Sequence, residues 1–166
     1  MKIQDDLTKY ISTALNNTLP EKTKIKTRFH LLDAIVSILT GRLLPPGQKG
    51  FNFSKNQGGL EEATLLGNNI KVSAINAAFS NGMAAHANET DDSHTKGRFH
   101  PGCAIIPTTL AIAEKENLTS EEILKGIALG YDIGVRFTTS LGYKTPKTSI
   151  FATHSIGPIF GSAASA

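Results

Sequence analysis

Apolar residues recur at three- and four-residue intervals along most of the chain, the period of helices that bury one face. In "TLPEKTKIKTRFHLLDAIVSILTG", beginning at Thr18, the positions Phe29, Leu32, Ile35, Val36 and Leu39 keep that period and predict a helix with this stripe against the core. Thr18 and Glu21 stand at capping-box spacing, Pro20 falls in the first turn, and Gly41 marks the stop. The period then breaks. Residues 41 to 60, "GRLLPPGQKGFNFSKNQGGL", carry two prolines and four glycines after Gly41, a composition that predicts a long loop. Residues 61 to 68 fit a short helix, and "NNIKV" a turn into the next element.

From Ser73, "SAINAAFSNGMAAHA" predicts a helix of small residues suited to close packing, in which Asn81-Gly82 marks a tight contact or a kink. "GCAIIPTTLAIAEKEN" predicts a buried helix, with Pro107 kinking it or marking its first turn. Thr119 and Glu122 form a second capping-box pair, opening "TSEEILKGIALGYDIGVRFTTSLG", a helix that stops near Gly142. A loop, "YKTPKTSI", leads to "FATHSIGPIFGSAASA", whose last residues suit a helix and end without a glycine cap, a basic last turn or a polar tail. A chain cut within a helix is the expectation. Every strong element is helical, so the fold class is all-α.

Composition narrows the rest. At 166 residues the chain suits one domain with a real core, and 40% hydrophobic with 19% charged residues is a globular balance. A net charge of +3 is too weak, and too little clustered with aromatics, to imply nucleic acid. No signal-peptide core and no run of about 18 apolar residues is present, so no membrane is expected and a cytoplasmic location is the default. Cys103 is the single cysteine, which excludes an intrachain disulfide framework and a Cys-based zinc site within the chain. No repeat at solenoid periods occurs.

Ionisable chemistry concentrates in one connection, residues 86 to 101, "HANETDDSHTKGRFHP". His94 and His100 can transfer protons near neutrality. Glu89, Asp91 and Asp92 can orient imidazoles or act as bases; Ser93 can donate to a carboxylate, and Lys96 or Arg98 can supply positive charge. Any one of these residues could equally cap the next helix or hydrate a loop. No metal-binding spacing such as H-E-x-x-H appears. His30, beside the apolar stripe, reads as a core or boundary histidine, and His86 as support for the cluster. His154 stands just before a glycine- and alanine-rich helix start, where free N–H groups favour an anion, although a simple helix-boundary residue fits as well.

With "NGMAAHANETDDSH", "HPGCAIIPTTLAIAE", "GIALGYDIGVR" and "THSIGPIFGSAASA" in this order and spacing, the chain resembles the MmgE/PrpD family, which includes 2-methylcitrate dehydratase, cis-aconitate decarboxylase and iminodisuccinate epimerase. The resemblance runs over residues 20 to 166. Asp91 and Asp92 match the paired aspartates of the family's D-F-D-D-T segment, His100-Pro101 its His-Pro, and His154 its second histidine. Glu89 stands where the family has its first aspartate, Thr90 replaces the aromatic and Ser93 the threonine. The segment from Ser93 to His100 is about one residue longer than in the decarboxylase, and Ser155 replaces a common proline.

The resemblance implies an all-helical domain facing a separate α+β lid that lies beyond Ala166, so that residues 1–166 are the N-terminal part of the enzyme. It also implies a homodimer and chemistry without an organic cofactor. The implied reaction is that of a lyase moving a proton next to a carboxylate of a small di- or tricarboxylate. His100 would be the acid/base, with His154 on a substrate carboxylate, and Glu89, Asp91 and Asp92 positioning the imidazoles. Ser93 and Lys96 would help bind substrate. The alternative is a non-catalytic helical dimerisation or interaction module, or an inactive fragment.

Overall fold

In a computed structural model of the protein, residues 2–142 and 152–166 are described; the expected loop "YKTPKTSI" lies outside them. Among the described residues the chain forms seven helices and one short hairpin, as the all-α expectation requires. In chain order these are α1 (Ile3–Ala14), α2 (Glu21–Gly41), α3 (Pro45–Gln57), β1 (Ala63–Thr64), β2 (Lys71–Val72), α4 (Ala74–Ala85), α5 (Gly102–Glu116), α6 (Ser120–Ser140) and α7 (Thr153–Ser165).

The α2 period is helical as expected, but the face it buries is different. Thr27, Ala34, Ser37, Ile38 and Gly41 are buried, while Phe29 is 66% exposed and Leu32 58%, with Val36 and Leu39 also exposed. Small residues win because they let α2 approach α4 closely; Ile38 packs with Ala84 and Ala85. The Thr18/Glu21 capping box does not form. Pro20 takes the N-cap position without a side-chain cap, and Gly41 is still the last helical residue.

The expected loop at 41–60 is helix α3 over most of its length. Pro45 and Pro46 occupy its first turn, where a missing N–H costs no hydrogen bond. Its glycines serve contact: a Cβ at Gly50 would stand 3.1 Å from Met83 on α4. The expected short helix at 61–68 is replaced by the hairpin, whose register pairs Ala63 with Val72. Asn81 on α4 explains this outcome and its own place in a helix. Its amide donates to the Thr64 carbonyl at 3.0 Å and its oxygen accepts from the Leu66 N–H at 3.0 Å. Its neighbour Gly82 sits where a Cβ would come within 2.9 Å of the Cys103 carbonyl on α5, the tight contact that Asn81-Gly82 signalled.

Pro107 lies buried inside α5, and the Thr119/Glu122 box opens α6 with both reciprocal bonds made. Helices α6 and α7 meet through small residues at four-residue spacing. A Cβ on Gly130 would be 2.9 Å from the Gly161 carbonyl, one on Gly134 2.8 Å from that of Gly157, and one on Gly126 3.1 Å from that of Ser165. This close seam carries α7, and with it His154, onto the body of the domain. No helix among the described residues is long and apolar enough to cross a membrane.

Candidate active site

The connection between α4 and α5 is held in shape by backbone bonds. His94 N–H donates to the Phe99 carbonyl at 2.9 Å and Arg98 N–H to that of His94 at 2.7 Å, closing a small loop around the Phe99 ring. Phe99 is 1% exposed and fits against Gly97, Gly134 and Gly157, where added Cβ atoms would strike it or its surroundings. Thr153, the first residue of α7, donates its hydroxyl to the Arg98 carbonyl at 2.6 Å. Two residues far apart in sequence are brought together by this latch. The His100 and His154 rings stack with centroids 5.9 Å apart and planes 24° apart, and the His86 ring lies 4.9 Å from that of His100, tilted by 57°.

Asp91 serves these imidazoles. Its side chain has no exposure; Oδ1 is 3.0 Å from His86 Nδ1 and Oδ2 3.5 Å from His100 Nδ1. The second distance lies within ion-pair reach but lacks hydrogen-bond geometry, so His100 Nδ1 is a buried nitrogen with no hydrogen-bond partner. A small shift of either group would complete the bond. His154 sits in the first turn of α7 and is exposed, and the N–H groups of Ser155 and Ile156 after it donate to the Ala152 carbonyl at 3.0 and 3.1 Å.

Asp92, the next residue, turns to other partners. Its Oδ2 lies 2.7 Å from His30 Nδ1 and accepts from the Tyr131 hydroxyl at 2.7 Å, while Oδ1 accepts from Gly102 N–H at 2.8 Å, the first residue of α5. Burial pushes the Asp92 carboxyl upward, but the bonds from His30, Tyr131 and Gly102 outweigh it and hold the group below the usual carboxylate range. Burial, and then the charge of Asp92, push the Tyr131 phenol well up, so it donates as a neutral group. Gly102 admits the carboxylate, since a Cβ there would lie 2.6 Å from Asp92 Oδ1. Asp92 thus ties α2, α5 and α6 together and does not touch His100.

The other expected residues scatter. Glu89 is exposed, with its backbone in the left-handed region (φ 53°), and Lys96 is exposed; neither contacts the imidazoles among the described residues. Ser93 is exposed on the Asp92 side, where it lines a cavity with His94. Sequence reasoning gave His30 little weight and passed over Tyr131; nothing local in either segment signals that they converge on Asp92.

Three possible metal ligands, from His86, Asp91 and Cys103, lie within 4.8 Å of one another. A mixed site of this kind escapes a search for cysteine spacing. Burial, followed by the nearby Asp91, pushes the Cys103 thiol up to about 12, so a metal would have to displace its proton.

The MmgE/PrpD N-terminal domain family matches residues 5–166. The chain belongs to this family. MmgE/PrpD proteins include dehydratase-type enzymes, and the match covers the segment carrying His86, Asp91, Asp92, His100 and His154. No curated protein matches this MmgE/PrpD chain.

Proposed function

We propose that the chain supplies the helical half of a lyase site acting on a small di- or tricarboxylate, with proton transfer next to a carboxylate followed by loss of water or carbon dioxide. The observation that carries this reading is the convergence of His100 with His154 over a buried carboxylate, Asp91. His100 takes or delivers the substrate proton. Asp91 orients the ring and stabilises its protonated form as charge develops. His154, backed by the N-terminus of α7, receives a substrate carboxylate or the enolate-like charge of the intermediate. A lid domain facing this surface completes the pocket, the reaction uses no organic cofactor, and the enzyme works in the cytoplasm as a homodimer. The step gives no role to Ser93, which lines the cavity on the Asp92 side, or to the exposed Glu89 and Lys96.

Turnover of 2-methylcitrate and cis-aconitate by the full-length protein tests the reading: His100→Ala should lower it by about a hundredfold or more. Near-normal turnover would refute the assignment.

A second reading, a non-catalytic dimerisation module, is favoured by one feature. Phe29, Leu32, Val36 and Leu39 form an exposed apolar stripe on α2. Self-association of the chain without any response to carboxylic acids would support it, whereas thermal stabilisation by a carboxylic acid would support the lyase.

A further inference from the structure

The side chain of Asp91 has no exposure, and its ion-pair partners are two imidazoles, His86 at 3.0 Å and His100 at 3.5 Å. A carboxylate withdrawn from water needs opposite charge close by, and a neutral imidazole supplies none. Cys103, in the first turn of α5, brings a thiol to the same place. One ligand atom from each of His86, Asp91 and Cys103 falls within 4.8 Å of the other two.

Without an ion, the Cys103 thiol donates to the His100 carbonyl at 3.3 Å and His86 Nδ1 meets Asp91 Oδ1 at 3.0 Å. Two observations point beyond that arrangement. His100 Nδ1 is buried without a hydrogen-bond partner, beside the same carboxylate. His86, at the C-cap of α4, is exposed, so the group has one member through which an ion can enter from solvent. Zinc bonds of about 2.0–2.3 Å set tetrahedral ligand atoms roughly 3.3–3.6 Å apart, so the three atoms need to draw in by roughly 1 Å. Thiolate and imidazole select zinc and its neighbours over magnesium or calcium, which take oxygen ligands.

We propose that His86, Asp91 and Cys103 form a binding site for a divalent cation of the zinc class. The ion clasps the connection at both ends, since its ligands come from the end of α4, the connection itself and the start of α5. Three protein ligands leave a fourth position for water or, after a small shift, for His100 Nδ1. Binding requires neither a substrate nor the lyase reading.

Cobalt(II) titration of the reduced, full-length protein, followed by absorption, tests this without recourse to turnover. Wild type should develop a near-ultraviolet sulfur-to-cobalt charge-transfer band together with the intense visible bands of four-coordinate cobalt. Zinc should bleach both by displacement, and magnesium should not. Cys103→Ala should lose the charge-transfer band; Cys103→Ser, which keeps the shape of the side chain, should lose it too, so that misfolding does not account for the loss. His86→Ala, a change at an exposed side chain, should weaken cobalt binding about tenfold or more at an unchanged metal-free melting temperature. No charge-transfer band in wild type, a band that persists in the Cys103 variants, unchanged affinity in His86→Ala, or displacement by magnesium would overturn the proposal.

Discussion

Asp91 and Asp92 are neighbours of identical chemistry, yet they face different tasks. Asp92 accepts three hydrogen bonds, one from a backbone N–H and two from side chains on separate helices. Asp91 is more deeply enclosed but less fully bonded, with two imidazoles as its ion-pair partners and one of them short of a hydrogen bond. A saturated carboxylate is a structural tie. One with slack beside a titratable ring is placed to let a proton move. The contrast teaches that density of ionisable residues in a connection does not itself define a site; the bonding of each group does.

The largest effect expected from this contrast is on stability at Asp92. Asp92→Ala should cost about 3 kcal/mol or more of folding free energy, measured by denaturant unfolding, because Tyr131 OH and Gly102 N–H lose a buried partner. A loss under about 1 kcal/mol would break the comparison. Next, His100→Ala should change unfolding little, yet lower turnover of the full-length protein by about a hundredfold, equivalent to roughly 2.7 kcal/mol of barrier. A large stability loss without a turnover effect would move His100 to the structural side. Smaller still, Tyr131→Phe should cost about 1.5 kcal/mol, the worth of one hydrogen bond to a charged acceptor.

The smallest effect is a pH dependence. The folded pKa of Asp92 lies below its ordinary value, so the stabilisation that its charge provides is present above the unfolded carboxylate pKa. It is lost as pH falls through the depressed folded value. The stability gap between wild type and Asp92→Asn should therefore be constant at neutral pH and narrow below about pH 4. A gap that widens in acid would show the carboxyl to be raised instead.

Much of the helical framework was legible because its signals are local. The Thr119/Glu122 box is a three-residue spacing that forms its reciprocal bonds without help, and the small-residue run from Ser73 forms the close-packed α4, whereas Pro107 lies inside α5 rather than in its first turn. The failures came where a local signal had two structural uses. Pro45 and Pro46 break a helix in its interior but open one in its first turn, and Gly50 is a contact rather than a turn. The glycines of "GIALGYDIGVR" recur every four residues, a spacing that signals a close helix seam and was open to reading.

The candidate site divides in the same way. The residues with proton chemistry could be named from "HANETDDSHTKGRFHP" and "THSIG", and the family could be recognised from their order. Which of two adjacent aspartates would meet His100 could not, because their direction depends on where Gly102, Tyr131 and His30 stand after packing.

Period, caps and residue types act over a few positions, and so the helical class and the course of most helices were readable in the chain. Only the tertiary structure decided which face of α2 is buried, that His154 reaches His100, and that Asp91 and Asp92 part company. Those outcomes depend on how closely backbones approach, through Gly41, Gly102, Gly130 and Gly157, and on which polar groups must find partners once water is excluded.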